Sequence, residues 1–172
     1  TNLKIDQLMD YKVFNDHGKF HKSKVPRGYR VIPGFIIYAV KHDGRFKARY
    51  VAGGHRTGAP AENVHSGVIS LKGLRTIIFL GELNDMEAWG TDISNAYLNA
   101  ECSEKVCIKA EKEFKPIGLA GHLLIICKAL YGLKSSGKRF NEHLGKVLRA
   151  LGFARSRAEN DIWIRKCPTA EV

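Results

Sequence analysis

Alternating hydrophobic and polar residues predict a β-hairpin over residues 35–52. Phe35 to Val40 is typical of a strand, and Arg45 to Ala52 is typical of the returning strand. Asp43-Gly44 between them favours a two-residue type I′ turn. With that turn, Val40 faces Lys47 and Tyr38 faces Arg49 across the hairpin. Arg45, Lys47 and Arg49 then share one face, because successive side chains of a strand point to opposite faces. Like charges at every second position favour a bound anion, although a solvated hairpin face would show the same pattern.

Other stretches predict helices and short strands. Ser70 is a plausible N-cap for a helix that is apolar nearly all round, which predicts a buried core helix. A second helix is predicted after Ser135 or Ser136, with an end at Gly152. Weaker patterns predict a short helix near residues 3–8 and strands at residues 106–108, 123–126 and 160–165. The mixture predicts an α+β fold.

The 172 residues suit one domain, and their net charge of +11 is unevenly placed. Residues 1–60 carry a net +8, residues 61–120 a net −3 and residues 121–172 a net +6. Two basic thirds around an acidic middle fit a protein that grips phosphates, although a merely soluble basic surface remains an alternative. No apolar run is long enough to cross a bilayer, and no secretory leader is visible. The chain opens on Thr1, so we expect a piece of a longer polypeptide.

Cysteine and histidine spacing gives little support for a metal site. The four cysteines form no CxxC pair, and the seven histidines are scattered. Cys102, Cys107 and His122 can be assembled into a site only on paper. Scattered buried thiols in a reducing compartment are the better interpretation, and an intracellular location is expected.

One carboxylate stands out at residue 92. Asp92 follows Gly90 and Thr91 and opens a segment ending at Leu98, in which Ile93 and Tyr97 favour an extended strand. Ser94-Asn95 would let that segment turn or end. A lone aspartate at such a place is more often a cap than a catalyst.

Three ordered blocks change that interpretation. The run Asp92 to Asn99 resembles the first catalytic-aspartate motif of copia-type (Ty1/copia) LTR-retrotransposon reverse transcriptases. Phe46 to His55 resembles the block after the fingers hairpin of that family, and Leu130 to Lys134 its Leu-Tyr-Gly-Leu-Lys signature. The chain departs from the family at Ala100, where a glycine is usual, and at residues 135–137, where Gln-Ser-Pro is usual. Its Tyr-x-Asp-Asp motif is absent from these 172 residues.

The resemblance implies a fold and a set of site residues. The implied architecture is a polymerase-like palm, an antiparallel sheet backed by helices, with a fingers β-hairpin, incomplete at the C-terminus. The whole chain, 1–172, would be one fingers/palm domain fragment. The resemblance makes Asp92 the catalytic carboxylate and, with the carbonyl of Ile93, a ligand for Mg²⁺. It assigns nucleotide binding to Lys47, Arg49, Ile93, Tyr97, Gly132 and Lys134.

The implied activity is RNA-directed DNA polymerisation by two-metal phosphoryl transfer, within a retrotransposon polyprotein. Its partners would be an RNA/DNA template-primer, deoxynucleoside triphosphates and the rest of the polyprotein, with no membrane. Without the second acidic pair, this chain alone is expected to be inactive. Two alternatives stay open: a non-catalytic basic nucleic-acid-binding module, and a degenerate remnant of an element.

Overall fold

The computed structural model describes residues 2–58 and 64–166, which fall into two compact units. The first unit comprises Thr1–His65 and Asn95–Phe140, and the second comprises Ser66–Ser94 and Asn141–Val172. The mixture of helices and sheets agrees with the predicted α+β class. No helix in the described ranges is both long and apolar enough to span a membrane.

A four-stranded sheet forms the centre of the first unit, and its strands lie in the order β1 (Phe14–Lys19), β6 (His122–Ile126), β5 (Val106–Lys109) and β2 (Arg30–Val31). Strand β6 pairs antiparallel with both β1 and β5, whereas β2 pairs parallel with β5. The elements of this unit are α1 (Asn2–Asp10), β1 (Phe14–Lys19), β2 (Arg30–Val31), β3 (Gly34–Val40), β4 (Phe46–Ala52), β5 (Val106–Lys109) and β6 (His122–Ile126), with 3₁₀ helices at Lys22–Lys24, Gly54–Arg56, Ala96–Asn99 and Lys112–Ile117. The predicted first helix and the two predicted strands at β5 and β6 are confirmed.

The core of the first unit lies where the sheet meets α1 and the hairpin β3–β4. Ile5 and Leu8 of α1 are buried, as are the apolar residues of β5 and β6. The rings of Phe14, Tyr50 and Phe114 pack edge to face, with centroids 5.5–5.9 Å apart. Such edge-to-face contacts stabilise a core beyond simple area burial. They fix β4 against β1 and the 3₁₀ helix Lys112–Ile117.

The predicted hairpin is confirmed, but the predicted turn type and register are wrong. Val40 pairs with Phe46 and Ile37 with Arg49, one residue away from the predicted pairing. A type I′ turn needs positive φ at both central residues, yet of Asp43 and Gly44 only Gly44 has it, at +79°. The Gly44 amide donates to the carbonyl of Lys41, and the Asp43 carboxylate accepts from the Arg45 amide. The loop is therefore one residue longer than predicted.

The second unit contains α2 (Leu71–Leu83), most of α3 (Ser136–Ala150), β7 (Ala154–Arg155) and β8 (Trp163–Ile164). The predicted cap of α2 is confirmed, because Ser70 Oγ accepts from the Gly73 amide at 2.9 Å. The Glu159 carboxylate also accepts from the Ser70 hydroxyl at 2.8 Å. Gly152, at φ +84°, ends α3 as predicted. Of the strand predicted over residues 160–165, only the two residues of β8 pair with β7.

The prediction that α2 is a buried core helix is wrong for this structure. Only Gly73 of its residues is buried. The large apolar side chains are 41–63% exposed, namely Leu71, Leu74, Ile77, Ile78, Phe79, Leu80 and Leu83. Apolar periodicity shows which residues favour burial, but it does not show what is present to cover them. The paired strands of this unit are only two residues long and offer little apolar surface.

The extended strand predicted around Asp92 is also absent from the described residues. Residues 86–93 have no regular secondary structure, and a turn at Ser94-Asn95 leads into the 3₁₀ helix Ala96–Asn99. Asn95 adopts the left-handed conformation, with φ 51° and ψ 38°, which ends any extended path. The predicted turn at Ser94-Asn95 is thus confirmed, while the strand lacks a partner among the described residues.

The contrast between the two units gives a direct stability test. Phe114 is 0% exposed and Phe79 is 62% exposed. We expect Phe114→Ala to lower the free energy of unfolding by about 3–5 kcal/mol, because it leaves a cavity in the aromatic core. We expect the matched Phe79→Ala to change it by about 0.5 kcal/mol or less. Urea unfolding followed by circular dichroism measures both, and equal losses would contradict the structure.

Candidate functional site

The basic face of the hairpin presents Lys47 and Arg49 from β4. Both are half-buried, whereas Tyr50 and Ala52 on the opposite face are fully buried. Gly34 on β3 makes room for the Tyr50 hydroxyl, because a Cβ at residue 34 would overlap it. Burial, and then the nearby Glu113 and Glu111, raise the pKa of Tyr50 far above its usual range. The anchoring of Tyr50 therefore directs Lys47 and Arg49 away from the core.

Arg45 does not join this basic row in the way its spacing predicts. It precedes β4, and its guanidinium donates to the Asp43 carboxylate from Nε at 2.8 Å and from a terminal nitrogen at 2.6 Å. Its charge is therefore matched within the turn. Lys47 and Arg49 take part in none of the ion pairs of the described residues.

Tyr131 brings two of the predicted site residues together. The guanidinium carbon of Arg49 lies 5.8 Å from the centroid of the Tyr131 ring, within the range of a cation–π contact. The ring of Tyr97 packs against Tyr131 with centroids 5.0 Å apart, and against Phe140 at 6.2 Å. Tyr97 projects from the 3₁₀ helix Ala96–Asn99 and is half-buried. All of these residues belong to the first unit.

Gly132 lies where two backbone segments touch. Its φ of +90° favours glycine, and a Cβ there would overlap the carbonyl oxygen of Ala52. The Ala52 amide donates to the carbonyl of Tyr131 at 2.8 Å. A Cβ at Gly54 would in turn overlap the carbonyl oxygen of Gly132. The end of β4 and the Tyr131-Gly132 turn are thus in direct backbone contact.

Lys134 and Ser135 hold the neighbouring loops. The Lys134 ammonium donates to the carbonyls of Thr57 at 2.8 Å and Gly58 at 3.2 Å. The Glu104 carboxylate accepts from the amide and the hydroxyl of Ser135, at 2.9 and 2.7 Å. These bonds fix the start of α3 and leave the Lys134 ammonium with one further N–H to donate.

Asp92 and Ile93 belong to the second unit. Asp92 is exposed, and Ile93 is 45% exposed. Across the described ranges, no hydrogen bond or ion pair engages the Asp92 carboxylate. A solvated carboxylate of this kind is available to a cation or to a hydrogen-bond donor.

The described residues do not form a complete divalent-metal site. Within residues 2–58 and 64–166, no group of three or more His, Cys, Asp or Glu side chains is placed to hold a metal. Cys102, Cys107 and Cys127 are free thiols, and burial raises the pKa of Cys102 to about 11. That shift keeps Cys102 protonated at neutral pH, which disfavours metal binding by the thiol. Cys167 lies outside the described residues.

Sequence reasoning missed two residues that shape this site. Tyr131 lies within the Leu-Tyr-Gly-Leu-Lys block, but its spacing alone does not indicate contact with Arg49 and Tyr97. Glu104 lies in a charged loop that is typical of a protein surface, yet it holds Ser135. The one local hint was the glycine after Tyr131, because glycine lets another segment approach the backbone closely. No local signal indicated Glu104.

Comparison with known proteins identifies a family. A family model described as "Reverse transcriptase (RNA-dependent DNA polymerase)" matches residues 18–171. The chain is 31% identical over 146 residues to the Ty1-BL Gag-Pol polyprotein of Saccharomyces cerevisiae, covering 84% of this chain. It is 22% identical over 157 residues to the retrovirus-related Pol polyprotein from transposon TNT 1-94 of Nicotiana tabacum, covering 87% of this chain.

The match covers a small part of those relatives. The chain spans 8% of the Ty1-BL polyprotein and 12% of the TNT 1-94 polyprotein. It also spans 12% of the truncated transposon Ty1-A Gag-Pol polyprotein of Saccharomyces cerevisiae, at 31% identity over 151 residues. No solved structure matches this chain.

Replacement of Gly132 tests the backbone contact. We expect Gly132→Ala to lower the free energy of unfolding by about 3 kcal/mol or more, because it adds a clash with Ala52 to the penalty for positive φ. Gly118 is the matched control, since it has φ +75° but no atom within 4 Å of an added Cβ. Gly118→Ala should lower it by only about 1 kcal/mol. Thermal and urea unfolding measure both variants, and equal losses would contradict the contact.

Proposed function

This chain belongs to the reverse transcriptase (RNA-dependent DNA polymerase) family, and we propose that it binds nucleotide and template-primer in the RNA-directed DNA polymerase of a copia-type retrotransposon polyprotein. One observation carries the proposal: the three family-like blocks meet around Tyr131. Arg49 comes from the hairpin block, Tyr97 from the aspartate block and Tyr131 from the third block. Residues far apart in sequence are thereby assembled at one place in the first unit.

Lys47 and Arg49 are proposed to bind phosphate groups of the incoming deoxynucleoside triphosphate. Arginine binds phosphate with two parallel hydrogen bonds, and lysine binds it as a compact point charge. The Tyr131 ring holds the Arg49 side chain in place, so less side-chain entropy is lost when a phosphate binds. The half-buried position of both cations strengthens their field relative to a fully solvated pair.

Tyr97 is proposed to lie beneath the nucleotide sugar, where an aromatic ring disfavours a 2′-hydroxyl. Its packing against Tyr131 and Phe140 restricts the ring, and a rigid wall excludes an extra hydroxyl better than a mobile one. Gly132 and Lys134 are proposed to border the template–nucleotide side. The spare N–H of Lys134 is available there to a phosphate oxygen.

Asp92 is proposed to be a catalytic carboxylate that, with the carbonyl of Ile93, contributes to a metal site. The family generally uses a divalent metal, and Mg²⁺ is the metal that we propose. Mg²⁺ takes six oxygen ligands in near-octahedral geometry and retains several waters. One carboxylate and one carbonyl do not fit a complete two-metal site, so further carboxylates are needed from elsewhere in the polyprotein.

Nucleic-acid binding is expected to depend on Arg49. We expect Arg49→Gln to weaken binding of a labelled template-primer and to flatten its log–log salt dependence, by roughly 0.9 for each duplex-DNA phosphate that is no longer neutralised. Arg45→Gln is the matched control, because Arg45 is already paired with Asp43 and should have a smaller effect. Fluorescence anisotropy between low and moderate salt measures both. Binding that is absent at low salt or insensitive to salt would contradict the proposal.

The 172-residue chain is expected to bind template-primer without extending it. It contains no adjacent Asp-Asp pair, and Asp92 alone cannot hold two metal ions. When joined to a polyprotein segment that supplies such a pair, the chain should extend a primer on an RNA template. Asp92→Asn should then abolish extension while template-primer binding persists.

The matched control for that assay is Asp85→Asn, which removes another exposed carboxylate of the same region and should leave extension intact. Extension by the purified 172-residue chain, abolished by Asp92→Asn, would contradict the expected inactivity. Binding without extension by the longer chain would instead favour a non-catalytic nucleic-acid-binding module.

A further inference from the structure

Helix α1 packs against β4, the strand that carries Lys47 and Arg49, and it also carries a lysine, Lys4. Ile5 and Leu8 are buried in the core, so α1 is held in one orientation, and it packs against β4. Lys4 lies next to Ile5 and is half-buried. Its ammonium donates to Gln7 Oε1 at 2.8 Å and to Asn95 Oδ1 at 3.1 Å.

The hydrogen bond to Asn95 links Lys4 to the site around Tyr131. Asn95 directly precedes the 3₁₀ helix that carries Tyr97. Tyr97 packs on Tyr131, and Tyr131 receives Arg49. A continuous series of contacts within the first unit therefore runs from Lys4 to Arg49, and strand β4 adds a second link because α1 packs against it.

The cations of this region have no matching carboxylate among the described residues. The ion pairs there are Asp43–Arg45, Asp16–His122 and Glu101–Lys128, and none involves Lys4, Lys47 or Arg49. Both partners of the Lys4 ammonium are neutral amide oxygens. Burial, followed by the charges of Arg49 and Lys47, lowers the pKa of Lys4. Lys4, Lys47 and Arg49 therefore repel one another in the free protein, and a bound anion would relieve that repulsion.

We propose that Lys4 is a third cation, with Lys47 and Arg49, of one site for phosphate oxyanions in the first unit. The ligand is either the triphosphate of a nucleotide or the phosphodiester backbone of a template-primer, which share the same oxyanion chemistry. This inference rests on the proposed function, and it extends the phosphate site to a helix that precedes all three family-like blocks. The Lys4 ammonium would supply the phosphate with a charge-assisted hydrogen bond, which is stronger than a bond between neutral groups.

Substitution of Lys4 by a neutral side chain of similar length tests the proposal. We expect Lys4→Met to weaken binding by about tenfold, as for the removal of one hydrogen bond to a charged group. Lys22→Met is the matched control, because Lys22 is exposed in the 3₁₀ helix Lys22–Lys24 and its replacement changes the net charge equally. It should bind within about twofold of the wild type, a shift below 0.5 kcal/mol.

Two probes distinguish the sources of phosphate. Inorganic tripolyphosphate, measured by isothermal titration calorimetry, reports on the nucleotide triphosphate. A fluorescein-labelled RNA–DNA hybrid, measured by anisotropy at fixed salt, reports on the phosphodiester backbone. Weaker binding of Lys4→Met to either probe, relative to Lys22→Met, supports the proposal and identifies the source.

The thermal unfolding of the variants without probe separates binding from support of the fold. In Lys4→Met, the loss of the hydrogen bonds to Gln7 and Asn95 opposes the relief of repulsion by Arg49 and Lys47, so we expect a melting temperature close to that of the wild type. A lower melting temperature would mean that Lys4 serves mainly to hold Gln7 and Asn95, and it would overturn the proposal. Equal binding by Lys4→Met and Lys22→Met would also overturn it, while leaving the proposed function intact. A wild-type chain that binds neither probe would overturn both.

Discussion

The packing of the Tyr50 ring between Phe14 and Phe114 is the interaction on which the candidate site depends. The hairpin β3–β4 forms a sheet of its own and is not hydrogen-bonded to the four-stranded sheet. An isolated two-stranded hairpin is at best marginally stable in water. The aromatic contacts attach β4 to the core, and the strand's alternation then directs Lys47 and Arg49 to the opposite face. The basic face is thus a consequence of how the apolar face is buried.

A second attachment joins the hairpin to the rest of the site. The backbone contact between Ala52 and the Tyr131-Gly132 turn sets the distance from β4 to the Tyr131 ring. That ring in turn receives Arg49 and packs on Tyr97. Three segments far apart in sequence therefore share one aromatic centre, and a proposed phosphate ligand would meet cations whose side chains are already restrained. Restraint of this kind reduces the entropy lost on binding.

Much of the fold follows from local pattern, and the exceptions have identifiable causes. The hairpin, β5, β6 and the Ser70 cap were predictable, because alternation and capping are properties of short segments. The hairpin register was not, since it depends on whether Asp43 adopts positive φ, and the hydrogen bonds of its carboxylate favour a longer loop. The exposure of α2 was not predictable either, because burial depends on what else covers an apolar face. Lys4 carries no local signal, because its proposed role arises from a hydrogen bond to Asn95 and from the packing of α1 against β4, both distant in sequence.

The close approach of Gly54, Gly132 and Ala52 also limits which substitutions related sequences can accept at these residues. A side chain at residue 132 is excluded by a neighbouring carbonyl oxygen whether or not any nucleotide is ever bound. A related chain that had lost its catalytic residues would still need glycine there in order to fold. Backbone packing therefore explains the glycine of the Leu-Tyr-Gly-Leu-Lys block at least in part. The block's presence in another sequence therefore reports a packing constraint of the fold and not working chemistry, so the catalytic carboxylates must be sought separately.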